Sequence, residues 1–371
     1  MEFRTMPRRR WAARVLATAL VLLSTTALAC SSDDADPEAT STTEATSTAA
    51  SEGTPSSTAT AEATATPEPR SIVFMAGFRP QANLPFVAAY MAQAKGFFAD
   101  EGLDVDIQHS SGGEHLQLLL SGEVDFITGT AAQAVRQRTE DLPIRAIALF
   151  GQRGDQGYVA HAEDSIEGPA DFAGHSVGFK SGVVPAELLA MLGSVGLTED
   201  DIELQSVGFD PRVFTEGQVD IYPVFLNNEP DTIRRAGIDI TVIDPTDFGV
   251  PTLGLTFLAR EDTIANDPEL VERFLRASMR GALYAAEHVD EAVEVTLTYA
   301  EGADPEHQRF LLEQDLAAAE RADGMGRADA EQWRALTDLL LEYGIIERDI
   351  DVATVWDGAA IDALYASGDL P

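Results

Sequence analysis

The chain has 371 residues, 45% of them hydrophobic, with 25 basic against 62 acidic side chains and a formal net charge of −37. That length holds one large domain or two lobes with cores of their own. So acidic a surface, with Lys95 and Lys180 the only lysines, excludes nucleic acid and anionic surfaces as partners, because both require basic patches.

At the N-terminus Arg8, Arg9, Arg10 and Arg14 precede a largely apolar stretch over 15–28, and Ala27-Leu28-Ala29 stands before Cys30. Residues 1–29 therefore read as an export signal, too short and wrongly flanked to remain as a membrane span. Cys30 is the only cysteine, and its place at the cleavage point resembles a bacterial lipobox, in which the cysteine becomes the acylated first residue. Ala-Leu-Ala also suits plain secretion, and Ala27 stands where a lipobox most often has Leu, so both routes stay open. The expected location is the outer face of the cell membrane, exported and lipid-anchored. Loss of 1–29 leaves 20 basic against 61 acidic side chains, and no intrachain disulfide can form. Residues 30–70, almost entirely Ser, Thr, Ala, Glu, Asp and Pro, form a disordered tether, since they cannot bury enough apolar surface to offset ordering.

Beyond the tether the periodicities predict a strand at 72–78, a helix at 84–98, strands at 103–107 and 124–128 around a short helix at 116–120, a helix at 131–138 and a buried strand at 144–150. A second set follows: strands at 176–179, 202–207, 219–225 and 238–243, with helices at 186–195, near 212–216 and at 229–236. Helices dominate from 271 onward, including 271–286, 306–319 and 330–343. This rhythm predicts an α/β protein with mainly parallel sheets. Each set carries one Gly-x-Val-Asp junction, SGEVDF at 121–126 and EGQVDI at 216–221. The Gly is expected to stop a helix in the left-handed conformation, the Val to open a buried strand, and the Asp to bond nearby backbone.

Candidate binding residues lie at the carboxyl ends of the strands, where open α/β sheets present ligands. They are Arg79, Gln81, Asn83 and Phe86 after the first strand, Ser110 and Gly112 after the second, and Thr130 after the third. Gln152 follows the fourth, and Tyr222, Phe225, Asn227, Asn228 and Glu229 end the strand at 219–225. Phe78, Phe86, Tyr158, Tyr222 and Phe225 are candidate faces for a flat ring, although a lone aromatic at such a place is more often core than stacker. Gln81, Asn83, Gln152, Asn227 and Asn228 offer donor and acceptor together, Thr130 and free backbone N–H groups suit a polar ligand atom, and Glu229 accepts. Arg79 and Arg153 suit an anionic or carbonyl edge, with Asp155 an alternative partner for Arg153. Asp210 and Arg212 read as a turn and an interlobe contact. Taken one by one these loops are ordinary solvated connections; five together point to one small-molecule cleft.

The stretches KGFFADEGLDVDI (95–107) and GFDPRVFTEGQVDIYPVFLNNEPDTIRRAGID (208–239) resemble the NMT1/THI5-like substrate-binding proteins of ABC importers, and the likeness spans about 70–345. GFRPQANLPFVAAY, GQRGDQ, GFDPR and YPVFLNNEPD are similar to the riboflavin-binding branch. The resemblance implies a two-lobed type II periplasmic-binding-protein fold with the ligand cleft between lobes that close about a hinge. Lobe one is then 71–157 with 252–371 and lobe two 158–251, joined by crossing strands near 157–161 and 252–258. It also implies a small aromatic vitamin as ligand, riboflavin first, and an ABC permease with its ATPase as partners of a monomeric receptor. A thiamine-precursor pyrimidine or an alkanesulfonate is the alternative ligand, although the scarcity of lysine is poor provision for a sulfonate. Some family members are thiamine-pyrimidine synthases that use a cysteine-rich motif and a histidine, and this chain departs from them, having only Cys30. The six histidines are scattered without metal-ligand spacing, and no G-x-S-x-G elbow or phosphate-binding glycine loop is present, so no catalytic residue, metal or cofactor is expected. An extracytoplasmic enzyme on the same fold is the remaining alternative.

Overall fold

The computed structural model describes residues 69–370 apart from 181 and 183. The export signal, Cys30 and most of the tether lie outside the described residues.

The two Gly-x-Val-Asp junctions are structural counterparts. Gly122 and Gly217 adopt φ of 81° and 68°, the left-handed conformation that ends a helix and favours glycine. The Asp125 carboxylate accepts the Val73 N–H at 2.9 Å, and the Asp220 carboxylate accepts the Ser176 N–H at 2.9 Å. Each junction thus pins the strand it opens to the parallel strand beside it.

The first sheet contains β1 (Arg70–Ala76), β2 (Leu103–His109), β3 (Phe126–Thr130) and β4 (Ile144–Leu149). The second contains β5 (Gln156–His161), β6 (Ser176–Phe179), β7 (Glu203–Ser206), β8 (Ile221–Phe225) and β9 (Ile240–Ile243), and β10 (Leu255–Arg260) returns to the first. The orders are β2-β1-β3-β10-β4 and β7-β6-β8-β5-β9. Both β10 and β5 run antiparallel to their neighbours. The expectation of mainly parallel sheets is therefore corrected in one respect: β5 enters its sheet, and β10 re-enters its own, from the other lobe, so each runs against the strands beside it.

Helices α1 (Leu84–Ala94), α2 (Phe97–Asp100), α3 (His115–Ser121) and α4 (Ala131–Thr139) accompany the first sheet, and α5 (Ala186–Ser194), α6 (Arg212–Thr215) and α7 (Glu229–Arg235) the second. After β10 come α8 (Glu261–Asn266), α9 (Pro268–Glu287), α10 (Val289–Tyr299), α11 (Pro305–Ala318), α12 (Ala330–Glu342) and α13 (Ala359–Ser367). The helix expected over 84–98 is broken by Gly96, whose φ is 75°. Every residue from Leu84 to Ala92 is buried, so α1 has no solvent face. It packs on α9 so closely that a Cβ at Gly281 would stand 2.1 Å from the Ala88 carbonyl oxygen. Beneath them Phe126 and Phe274 stack at 4.0 Å, and Phe74 meets Phe257 edge-on at 5.5 Å.

A second buried cluster passes through both lobes. It joins Ile127 and Leu149 of the first sheet to Tyr158, Val177 and Ile221 of the second, with Trp333, Leu336 and Leu340 of α12. Helix α12 packs against both α4 and α5, which makes one border between the lobes apolar.

Candidate functional site

The strand ends of both lobes open onto a cavity of about 300 Å3, near the lower end of the range that suits drug-sized ligands. Thr130, Gln133 and Arg136 reach it from the start of α4, and Tyr158, Pro223 and Phe225 from the second sheet. Lys180 follows β6, Glu187 stands in the first turn of α5, Phe209 follows β7, and Leu340 and Ile345 close the wall. A narrow space lined by Asp155, Gln156, Glu187 and Thr252 adjoins it at the crossing segments. Beyond lies a second cavity of about 150 Å3, lined by Pro85, Phe150, Arg153, Asp155, Asn227 and Asp315 among others.

The walls provide flat apolar faces. Phe209 is 61% exposed, unusual for a large aromatic side chain in the described residues, and it stands over the Lys180 ammonium at 5.2 Å. Tyr222 and Phe225 approach the same ammonium at 4.9 and 5.4 Å. Lys180 is also paired with Glu229 at 2.7 Å, and Glu229 accepts the Phe225 N–H at 2.7 Å. Burial pushes the Lys180 pKa down, and the Glu229 charge opposes that shift. Arg153 is held by Asp244 at 2.7 Å and Asp247 at 2.6 Å. Although Arg136, exposed at the cavity, has no ion pair among the described residues, Lys180 and Arg153 are thus already neutralised.

The carboxylates are not. Among the described residues neither Asp155 nor Glu187 has an ion-pair partner. Burial, reinforced by the charges of Asp315, Glu187 and Glu229, pushes Asp155 up to about 7, and burial also raises Glu187. Such a floor accepts hydrogen bonds, and near neutral pH Asp155 also donates one. It is hostile to an anion.

The expected site residues separate into groups. Thr130 lines the cavity while capping α4, accepting the Gln133 N–H at 3.1 Å, and Phe225 lines it directly. Glu229 acts through Lys180. Asn83 and Asn227 come from different lobes and converge on one carboxylate: their Nδ2 groups donate to Asp315 at 3.2 and 2.7 Å. Gln81 donates to Asn83, and Asn228 meets His307 at 3.0 Å. Arg79 is exposed beside Phe78, its guanidinium 5.4 Å from that ring.

Several expectations are corrected. Phe86 is buried in the first core, edge-on to His109, and Tyr222 is fully buried with its hydroxyl donating to the Gly208 carbonyl at 3.0 Å. Neither ring faces the cavity. Gln152 donates to the Arg327 carbonyl at 2.9 Å and accepts from Gln332 at 3.0 Å, which ties the hinge to the C-terminal helices. Ser110 and Gly112 are held within their own loop by Glu114, which accepts from the Gly112 N–H at 2.7 Å and the Ser110 hydroxyl at 3.0 Å. The N–H groups of Ser111 and Gly112, with Glu114's own and the Ser110 hydroxyl, hold the Glu114 carboxyl down at about 2, so this turn has no free nest for a ligand. Arg153 pairs with Asp244 and Asp247 rather than Asp155. Asp210 pairs locally with Arg212 in an exposed turn, and among the described residues it has no hydrogen bond or ion pair to the other lobe.

Lys180, Glu187 and Phe209 were not foreseen. Lys180 had a signal, being one of two lysines in the chain and placed directly after a strand. Phe209 sits inside GFDPR, a motif singled out for its charges rather than its ring.

A family model described as NMT1/THI5 like matches residues 83–292. The riboflavin-binding protein RibY of Chloroflexus aurantiacus is 27% identical over 284 residues, covering 73% of this chain and 80% of that protein. The formylaminopyrimidine-binding protein of Halalkalibacterium halodurans is 28% identical over 290 residues, covering 76% of this chain and 87% of that protein. The periplasmic aliphatic sulphonate binding protein SsuA from Escherichia coli matches with a TM-score of 0.63 at 14% identity, over 79% of this chain and 94% of that one. That likeness is one of fold, the two-lobed type II periplasmic-binding-protein arrangement. With the family match extending over more than half its length, the chain belongs to the NMT1/THI5-like family.

Proposed function

We propose that the protein is the extracytoplasmic receptor of an ABC importer, anchored through Cys30 to the outer face of the cell membrane. It captures riboflavin and hands it to a permease and its ATPase. In this reading the lobes are 71–157 with 252–371 and 158–251. Among the described residues no helix is long and apolar enough to cross a membrane. In this reading attachment is through Cys30. Cys30→Ala then releases the protein from the membrane fraction.

The observation that carries the ligand reading is the cavity of about 300 Å3 that joins the Phe209, Phe225 and Tyr158 faces to the unpaired Glu187 carboxylate, with unpaired Asp155 in the narrow space adjoining it. A tricyclic flavin needs flat apolar faces, and its ring N–H and ribityl hydroxyls need acceptors. Asp155 and Glu187 supply these, with Thr130 and Gln133 at the same rim. The similarity to RibY supports the same choice.

A second reading has its own support. A pyrimidine with exocyclic amino groups also donates to paired carboxylates, and the formylaminopyrimidine-binding relative is as similar to this chain. A single ring, however, leaves much of the cavity unfilled. A sulfonate would find Arg136 as a cation without an ion pair at the cavity, but Lys180 and Arg153 are already paired and the unpaired carboxylates Asp155 and Glu187 oppose it. Catalysis is not proposed: at the cavity the Thr130 hydroxyl caps α4 and Lys180 is paired with Glu229, and in this reading the one cysteine belongs to the anchor.

Titration of the mature protein with riboflavin and with hydroxymethylpyrimidine decides between the ligands. Quenching of flavin fluorescence at micromolar concentration supports the proposal. Heat on adding the pyrimidine, with no quenching by riboflavin, replaces it.

A further inference from the structure

We infer that α11 is a latch: it belongs to the first lobe, grips α7 of the second through Asp315 and His307, and governs how fast a ligand leaves the cleft.

One side of α11 is fixed. Leu311 and Leu312 are buried in the first core. Gln308, itself buried, accepts the Ala82 N–H at 2.7 Å, and Asp315 accepts the Leu84 N–H at 2.8 Å and the Asn83 amide. The helix thereby moves with the β1–α1 loop. Its other side meets the segment that follows β8, and there the contacts are polar. Asp315 Oδ1 accepts from Asn227 Nδ2 at 2.7 Å. His307 engages two partners at once, Nδ1 with the Asp231 carboxylate at 2.7 Å and Nε2 with Asn228 Oδ1 at 3.0 Å. Arg235 reaches Glu306 at 3.3 Å and Asp304 at 3.6 Å. Ile233 anchors α7 in the second core, so this seam joins two separately packed bodies.

A polar seam can part reversibly, since water replaces each hydrogen bond as it opens. The apolar border through α12 cannot part without exposing Trp333, Leu336 and Leu340. The lobes therefore swing about the α12 side and the crossing strands, and they open on the α7–α11 side. Asn227 and Asn228, expected from sequence to touch ligand, work here as the catch plates. Asp315 is a positioning residue: it holds a sheet-end residue from each lobe and sets the width of the smaller cavity it lines.

The inference rests on the receptor reading only in that some ligand occupies the cleft. His307 lines neither cavity, so His307→Ala cannot act by touching the ligand. Two measurements apply to the mature protein: release of riboflavin by stopped-flow fluorescence, and the radius of gyration without ligand by small-angle scattering. Expected for His307→Ala are roughly tenfold faster release, association within about twofold of the parent, and a larger ligand-free radius. Asp231→Ala should speed release less, since His307 keeps Asn228, and the double variant should release about as fast as His307→Ala, because the two share the Asp231 contact. Thermal melting of His307→Gln, which keeps the bulk, verifies folding and substitutes if the alanine variant fails to fold. Unchanged release and unchanged radius overturn the latch. If riboflavin does not bind, the scattering arm still decides, and only the ligand assignment falls.

Discussion

The lobes meet along two borders of opposite chemistry. On one side α12 lays Trp333, Leu336 and Leu340 into a buried cluster shared by both sheets; on the other, α11 faces α7 through Asp315, His307 and Arg235. Apolar contact is non-directional and lost only by exposing area to water, whereas each hydrogen bond of the polar border has a ready substitute in solvent. A receptor needs both, a pivot that survives every cycle and an edge that opens within one. Leu340 and Asp315 each line a cavity, but Trp333 and His307 line neither, so each border can be perturbed at those two residues without deleting a ligand contact.

The largest effect should come from breaking the pivot. Trp333 is fully buried and stacks on Trp356 with ring centroids 5.7 Å apart. Trp333→Ala should cost about 3–5 kcal/mol in urea unfolding, the range for deleting a large core aromatic. Loss of this stability without loss of cooperativity would show that the pivot serves both lobes at once. Two separate unfolding transitions would show that they fold independently and that the shared cluster is weaker than its burial implies.

Much of this architecture is legible in the sequence, for a local reason. Gly-x-Val-Asp works within a few residues: a left-handed stop, a buried strand start and a carboxylate that finds the neighbouring strand. Those requirements are visible wherever the stretch occurs. Crossing strands are expected near 157–161 and 252–258, where β5 (Gln156–His161) and β10 (Leu255–Arg260) lie, but their antiparallel sense is not legible, because direction depends on which lobe a strand arrives from. The strand ends were recognised as polar, yet the fate of each polar group depended on distant partners. Asn83 and Asn227 look alike as loop amides, and only Asp315, 232 and 88 residues away along the chain, makes them a pair. Gln152 points toward Arg327 and Gln332, and nothing near it in sequence forecasts that. Phe86 and Tyr222 follow the rule that a lone aromatic is more often core than stacker, while Phe78 and Phe209, the latter in a charged turn, are left exposed.

A second, smaller effect tests the charge balance behind the polar border. Glu229 and Lys180 are nearly buried, with side chains 9% and 11% exposed. Glu229→Gln strands the Lys180 ammonium and weakens the acceptor for the Phe225 N–H. It should destabilise the protein by about 2–3 kcal/mol, since breaking a buried pair leaves an uncompensated charge. Lys180→Met should cost less, because Glu229 keeps its backbone donor and the aromatic trio keeps an apolar neighbour. Equal losses would mean that the pair matters only as a pair. A larger loss for Lys180→Met would shift the emphasis to the cation–aromatic contacts.

The smallest effect concerns Asp155, which stands at the crossing segment between the two borders and lines the smaller cavity together with Asp315. Its ordinary pKa of 3.8 rises to about 7 in the folded protein, first through burial and then through the neighbouring carboxylates. Between those values the folded state holds a proton that the unfolded chain has released. Stability therefore falls as pH rises through this window and levels off above about 7, by linkage. Asp155→Asn is neutral throughout, so its stability should lack this slope, match the parent near pH 4 and exceed it at pH 8 by about 1–2 kcal/mol. That figure is set below the full value of the shift because water in the cavity partly solvates the charge. Urea unfolding of both proteins at pH 4, 6 and 8 measures the difference. Parallel stability curves would mean that Asp155 titrates normally, with the cleft floor wetter and less hostile to anions than its unpaired carboxylates imply. That outcome would reopen the sulfonate as a ligand.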